Sequence, residues 1–164
     1  MYNDKKCIGI IFDPSYLIYN ISTPMAKIFE ILTTNKDAHF IYGGIKRLVD
    51  HVDEYARNLK IPKERLHLLC LPVCSPNTGF VNSELASKWL LELLAYNPDR
   101  LYVFRDNSHM GLTTALVRSC IDRNIPIMEI NNRNEYKCID QYSLGESKWY
   151  RTRPGRVYDP KINN

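Results

Sequence analysis

Apolar residues follow two alternating patterns along the chain. Short runs that are apolar at nearly every position, such as residues 7–12 and 101–104, are typical of strands buried on both faces of a sheet. Between these runs apolar residues recur at helical spacing, and in residues 45–59 charged residues occupy most of the remaining positions. The pattern predicts strands at 6–12, 37–42, 66–71, 101–104 and 125–130, and helices at 23–32, 45–59, 82–96 and 111–124.

Strict alternation of apolar strands with amphipathic helices indicates an α/β fold. Strands of this kind are covered on both faces, and right-handed crossovers between them produce a doubly wound sheet. We therefore expect residues 1–130 to form a single Rossmann-like domain with a five-stranded, mainly parallel sheet. After Asn131 the apolar periodicity disappears, so residues 131–164 are predicted to be an irregular C-terminal extension.

The composition agrees with one soluble domain. The chain has 164 residues, of which 45% are hydrophobic and 24% charged. No apolar run approaches the roughly 18 residues that a membrane helix needs, so a membrane is not expected as a partner. The five cysteines lie mostly within apolar segments, which predicts buried free thiols and a cytoplasmic location. The residue spacings predict no metal site and no bound cofactor.

Basic charge is concentrated at the C-terminal end. Residues 1–130 carry 15 Lys and Arg against 14 Asp and Glu, whereas residues 131–164 carry 7 against 4. The basic extension also contains five aromatic residues, which is unusual for a disordered segment. These aromatics pack either on the domain itself or on a neighbouring subunit, and we expect a homo-oligomer with the extension in its interface. Contact of the extension with nucleic acid is a further alternative.

Ligands of doubly wound sheets bind beyond the carboxyl ends of the strands, so the loops at these ends are the candidate site. Gly43 and Gly44 follow the second strand and precede a helix, where free N–H groups favour a phosphate and Arg47 lies one turn away. The alternative for these glycines is a tight turn without a ligand. The loop after the fourth strand has the same design, with Arg105, Ser108, Gly111 and Thr113 as its candidate ligand-binding residues.

Two further loops contribute polar side chains to this edge. Asp13 and Ser15 follow the first strand, where Asp13 is expected either to bind a ribose hydroxyl or base or to cap the turn. Asn82 precedes the third helix and is either a ligand contact or a helix cap.

The order of these motifs resembles that of the SLOG superfamily. This superfamily includes the Lonely Guy phosphoribohydrolases, the DprA DNA-processing proteins and nucleotide-sensing modules of bacterial defence systems. The resemblance is greatest to a small phage and bacterial branch of unknown function, and it covers roughly residues 6–130. It rests on residues 40–44 (FIYGG), 53–56 (DEYA), 81–82 (VN), 98–104 (PDRLYVF), 108–113 (SHMGLT) and 124–127 (NIPI).

The resemblance implies a nucleotide pocket, but the catalytic signature of the phosphoribohydrolases is absent. That signature is Pro-Gly-Gly-x-Gly-Thr-x-x-Glu, and residues 111–118 contain no acidic side chain. We therefore expect non-catalytic sensing or sequestration of a nucleotide or nucleotide-derived signal, with an anti-defence role in a phage or mobile element. One alternative is a nucleotide N-glycosidase, or an enzyme like the phosphoribohydrolases or deoxyribosyltransferases, with Asp13 or Glu84 as its carboxylate. The other is a DprA-like nucleic-acid or protein adaptor.

Overall fold

A computed structural model describes residues 6–13, 16, 18–69, 83–105, 112–133, 135–139 and 150–151. Its strands are β1 (Cys7–Phe12), β2 (His39–Gly44), β3 (Leu66–Leu68), β4 (Arg100–Phe104), β5 (Ile127–Ile130), β6 (Glu135–Ile139) and β7 (Tyr150–Arg151). Its helices are α1 (Ser22–Thr34), α2 (Lys46–Asn58), α3 (Ser83–Ala95) and α4 (Leu112–Asp122), with a short 3-10 turn at Lys63–Arg65.

The strands form one sheet in the order β3-β2-β1-β4-β5-β6-β7. The pairs from β3 through to β5 are all parallel, and helices separate them along the chain. The predicted Rossmann-like α/β fold with five parallel strands is therefore confirmed. The order 3-2-1-4-5 is that of the doubly wound nucleotide-binding sheets.

The sheet continues beyond the five predicted strands. Strand β6 pairs antiparallel with β5, and β7 pairs antiparallel with β6. Tyr136 of β6 lies opposite Ile130 and is buried in the core of the domain. The prediction that the chain after Asn131 lacks regular structure is thus wrong for these two segments, because a five-residue strand with alternating polar residues leaves only a short periodic signal. Trp149 and the basic residues after Arg151 lie outside the described residues.

The two faces of the sheet carry separate hydrophobic clusters because alternate strand residues point to opposite sides. On one face Ile8, Ile10 and Phe12 pack with Ile28 and Ile31 of α1, and α2 covers the same face. On the other face Ile11 and Val103 pack with residues of α3 and α4, which include Trp89, Leu93 and Leu116. No helix within the described residues is long and apolar enough to cross a membrane.

Cys7, Cys120 and Cys138 lie within the described residues, and the side chains of the first two are described. Cys7 and Cys120 are buried free thiols, as the sequence predicted for them. Burial raises the pKa of each thiol to about 12, so both remain protonated at neutral pH and are poor nucleophiles.

Helix α1 begins at Ser22, one residue before the start that the sequence pattern predicts. The side-chain carbonyl of Asn20 accepts hydrogen bonds from the backbone N–H of Ser22 (3.0 Å) and from its hydroxyl (2.8 Å). Pro24 therefore lies within the first turn, where its missing N–H would have no partner inside the helix.

Candidate functional site

The strand order reverses between β1 and β4, and this is where doubly wound sheets bind their ligands. Asp13 is the first residue after β1, and its backbone N–H donates to the carbonyl of Phe104, the last residue of β4, at 2.9 Å. Its own carbonyl accepts from the N–H of Tyr16 at 2.9 Å, which closes a turn. Asp13 is only 6% exposed, so the turn holds it at the junction of the two strands.

Three aromatic side chains support this turn. The rings of Phe12 and Phe104 lie 5.0 Å apart, and Tyr16 meets Phe104 edge-on at 5.6 Å. All three residues are buried. Aromatic contacts of this kind add to the stability that burial gives, so the three rings stabilise the turn that carries Asp13.

Gly43 and Gly44 are the last two residues of β2, and they pair with Ile11 and Phe12 of β1. They do not follow the strand as the sequence analysis expected. A side chain at Gly43 would collide with the backbone carbonyl of Leu69, and one at Gly44 would collide with the carbonyl of Phe12. Gly44 also has a φ of +122°, which L residues rarely adopt. Close packing of neighbouring backbones therefore accounts for both glycines without a ligand.

Arg47 lies in the first turn of α2, at the same edge of the sheet. Its side chain is exposed and makes no hydrogen bond or ion pair within the described part of the chain. The first helical residue is Lys46, and no side chain caps the N-terminus of α2. The helix therefore begins with free N–H groups and two basic residues at the predicted edge.

Arg105 follows β4, and its Nε lies 3.0 Å from Oε1 of Glu129 in β5. The Glu129 side chain is 1% exposed and that of Arg105 is 13% exposed. The sequence predicted Arg105 as a counter-charge for a phosphate, whereas the structure pairs it with a buried carboxylate. The sequence pattern did not predict Glu129 as a site residue. The one signal for it in the sequence is an acidic residue within an otherwise apolar strand.

The remaining predicted site residues fall outside the described residues or lack described side chains. Ser15, Asn82, Ser108 and Gly111 belong to the first group. Thr113 lies in α4 and Glu84 in α3, but only their backbone is described. The structure thus brings Asp13, Gly43, Gly44, Arg47 and Arg105 to one edge of the sheet.

Buried polar groups also occur away from this edge. The Nζ of Lys27 in α1 lies 3.5 Å from a carboxylate oxygen of Glu30 and 6.0 Å from the centre of the Tyr136 ring. Burial lowers the pKa of Lys27 and raises that of Glu30, while their mutual attraction opposes both shifts. This pair links α1 to the C-terminal strand that the sequence analysis did not predict.

A histidine pair lies near the opposite, amino edge of the sheet. Nδ1 of His39 and Nε2 of His67 are 3.2 Å apart, and the two rings are stacked with centres 5.5 Å apart. The ring of Tyr96 packs on His67 at 5.1 Å. Burial lowers the pKa of His67, because the charged imidazolium loses more hydration than the neutral ring.

Comparison with known proteins identifies no family. No protein-family model matches the chain, and no curated protein matches it. Among solved structures, the chain is similar to a UDP-GlcNAc 2-epimerase from Neisseria meningitidis bound to UDP-GlcNAc, with 16% identity and a TM-score of 0.43 over 76% of this chain and 32% of that one. It is also similar to the glycotransferase of kitacinnamycin, with 13% identity and a TM-score of 0.42 over 78% of this chain and 31% of that one. The chain spans about a third of the length of each of these proteins.

Proposed function

We propose that this protein binds a nucleotide or a nucleotide-derived signal at the carboxyl edge of its sheet, and that it does so without transforming the ligand. The observation that carries the proposal is the position of Asp13, a buried carboxylate at the point where the strand order reverses. A carboxylate accepts hydrogen bonds from ribose hydroxyls or from the N–H groups of a base. The uncapped start of α2, with Lys46 and Arg47, supplies positive charge for a phosphate at the same edge.

The non-catalytic part of the proposal rests on the charges described at this edge. Arg105 and Glu129 form an ion pair, which engages the guanidinium and a carboxylate oxygen with each other. Asp13 is the other buried carboxylate of this edge among the described residues. Cleavage of a glycosidic bond commonly needs two carboxyl groups at a set separation, one as acid and the other as base or nucleophile.

The proposal includes a place in the SLOG superfamily, in which the pocket recognises a signal nucleotide. This part is supported by the order of the motifs along residues 6–130 and by the strand order 3-2-1-4-5. A phage or mobile element would use such a protein to sequester a nucleotide signal of its host.

The experiment is a thermal-shift screen of nucleoside mono-, di- and triphosphates and cyclic dinucleotides. A ligand at about 100 times its Kd stabilises the folded state by about 2.7 kcal/mol, which is several degrees in Tm for a domain of this size. We expect at least one nucleotide to raise the Tm of the wild type and of Asp122→Asn, whose side chain is exposed at the far end of α4. In the Asp13→Asn variant the shift should fall by about half or more, which corresponds to a loss of affinity of tenfold or more.

The enzymatic alternative has its own readout. If incubation with the same nucleotides released free base, and if Asp13→Asn abolished the release, Asp13 would be the carboxylate of an N-glycosidase. Binding without base release supports the non-catalytic function.

A further inference from the structure

A cavity lies between the C-terminal half of α2 and the start of the edge strand β3. Its volume is about 340 Å³, and it is lined by Tyr42, Asp53, Arg57, Ile61, Lys63 and Leu66. Small-molecule sites in proteins begin at roughly 300 Å³, and a water molecule takes up about 30 Å³ of liquid. The cavity is therefore large enough for a small organic molecule.

The inner wall of the cavity is polar and fixed in place. The hydroxyl of Tyr42 donates a short hydrogen bond to Oδ1 of Asp53, which ties β2 to the middle of α2. Tyr42 is almost fully buried, and burial together with the Asp53 carboxylate raises the pKa of its hydroxyl. Oδ2 of Asp53 accepts no hydrogen bond from the described part of the chain, so it remains an acceptor at the cavity.

The mouth of the cavity is basic. Arg57 in the last turn of α2 and Lys63 in the 3-10 turn are both exposed lining residues. Neither side chain has a hydrogen bond or an ion pair with any described residue. Two cations on separate elements thus face one opening, and among the described residues Asp53 is the acidic side chain that lines it.

The remaining walls are apolar. Ile61 is buried after the end of α2, and Leu66 is half-buried at the start of β3. Apolar walls with a few convergent polar groups are the usual composition of a small-molecule site.

We propose that this cavity is a binding site for a small organic anion with an aromatic or aliphatic body. Arg57 and Lys63 hold the phosphate or carboxylate of the ligand, and the body lies between Ile61 and Leu66. Asp53 accepts a hydrogen bond from an N–H or O–H group where the ligand has one. The site is independent of the nucleotide site proposed above, since the two share none of their residues.

The test is a titration of the full chain with phenyl phosphate, benzoate and inorganic phosphate. Binding is monitored in NMR spectra through the methyl signals and the arginine Nε signals. We expect the signals of Ile61, Leu66 and Arg57 to shift with saturation, while those of Ile130 at the carboxyl edge stay unchanged. Phenyl phosphate should bind more tightly than inorganic phosphate because only the former fills the apolar part. A preference for benzoate over phenyl phosphate would identify a carboxylate as the natural anion.

Charge-removing variants test the roles of the two cations. Arg57→Gln and Lys63→Gln should each weaken binding of phenyl phosphate by about fivefold, as expected for a partly exposed ion pair of about 1 kcal/mol. The matched control is Arg118→Gln on the opposite face of the sheet, which should bind as the wild type does. Leu66→Trp places a larger side chain at the cavity and should abolish binding. Absence of saturable binding, or equal binding by the double variant of Arg57 and Lys63, would overturn the proposal.

Discussion

Arg105, the first residue after β4, forms an ion pair with Glu129, the third residue of β5. The two partners differ in their burial. Glu129 is fully buried, whereas the side chain of Arg105 is 13% exposed. Removal of one partner from a buried pair leaves the other charge uncompensated. The loss of stability is larger when the charge that is left behind cannot reach water. In this pair that charge is Glu129.

We therefore predict unequal effects of the two neutral substitutions. Arg105→Gln should lower the free energy of unfolding by about 3 kcal/mol or more, because it removes the positive charge that is paired with the buried Glu129 carboxylate. Glu129→Gln should cost less, because Arg105 can turn toward solvent. Urea denaturation of both variants measures the difference. Lys46→Gln is the control, since it removes an exposed ion pair to Asp50 and should change stability by less than about 1 kcal/mol. Equal losses for both variants at Arg105 and Glu129 would contradict this account.

Substitution of the two glycines of β2 should destabilise the fold. Gly43→Ala and Gly44→Ala place a methyl group against the backbone of Leu69 and Phe12, which cannot move without disrupting the sheet. Each should cost more than about 1 kcal/mol, and the positive φ of Gly44 adds to its cost. Gly9→Ala is the comparison, because its methyl group would meet the end of the flexible Leu101 side chain. Either β2 variant could instead have a higher denaturation midpoint than Gly9→Ala. That result would show that the backbone packing around Gly43 and Gly44 is looser than described.

The histidine pair should make stability depend on pH. Burial lowers the pKa of His67 in the folded state, so the unfolded chain binds the proton more readily. Stability should therefore begin to fall as the pH drops through about 6.5, the ordinary histidine pKa, and should continue to fall until the folded-state pKa is passed. Urea midpoints at pH 7.5 and pH 5 measure this loss. His67→Gln should reduce it, and an equal acid loss in this variant and the wild type would contradict the assignment to His67.

The Tyr42–Asp53 hydrogen bond should contribute to stability at neutral pH. Tyr42→Phe keeps the ring in the core and removes a bond to a charged acceptor, with an expected cost of about 1.5 kcal/mol. Because burial raises the folded-state pKa of Tyr42, the wild type should also lose stability as the pH rises above about 10. The variant should show a smaller alkaline loss in the same denaturation assay. An identical alkaline profile would mean that Tyr42 does not titrate as its burial requires.

Sequence periodicity was sufficient to predict most of the fold. The apolar runs of β1 and β4 and the amphipathic stripe of α2 are long enough to give clear periods. Strand β6 was missed because Glu135 and Lys137 alternate with apolar residues over only five positions. Its pairing with β5 is a tertiary contact, which the local pattern of residues 135–139 does not show.

The candidate site was predictable only in part. The position of Asp13 and Arg105 at the sheet edge could be predicted because residues that follow buried strands lie there. Glu129 was missed because its position within β5 indicates a core residue, and only the tertiary structure supplies Arg105 as its partner. The close approach of Leu69 and Phe12 to Gly43 and Gly44 could not be predicted, because it comes from strand pairing. The binding of a ligand by these glycines stays a prediction.

The most direct measurement of the central claim is an amide NMR titration with the nucleotide that gives the largest thermal shift. Binding at the point where the strand order reverses predicts saturable shifts in the backbone signals of Asp13, Gly44 and Arg105, with the signals of α3 beyond Trp89 unchanged. The same titration of Asp13→Asn should show these shifts weakened by at least about tenfold in affinity, as expected for loss of a charge-assisted hydrogen bond. Shifts confined to other surfaces, or equal binding by the wild type and Asp13→Asn, would contradict the account.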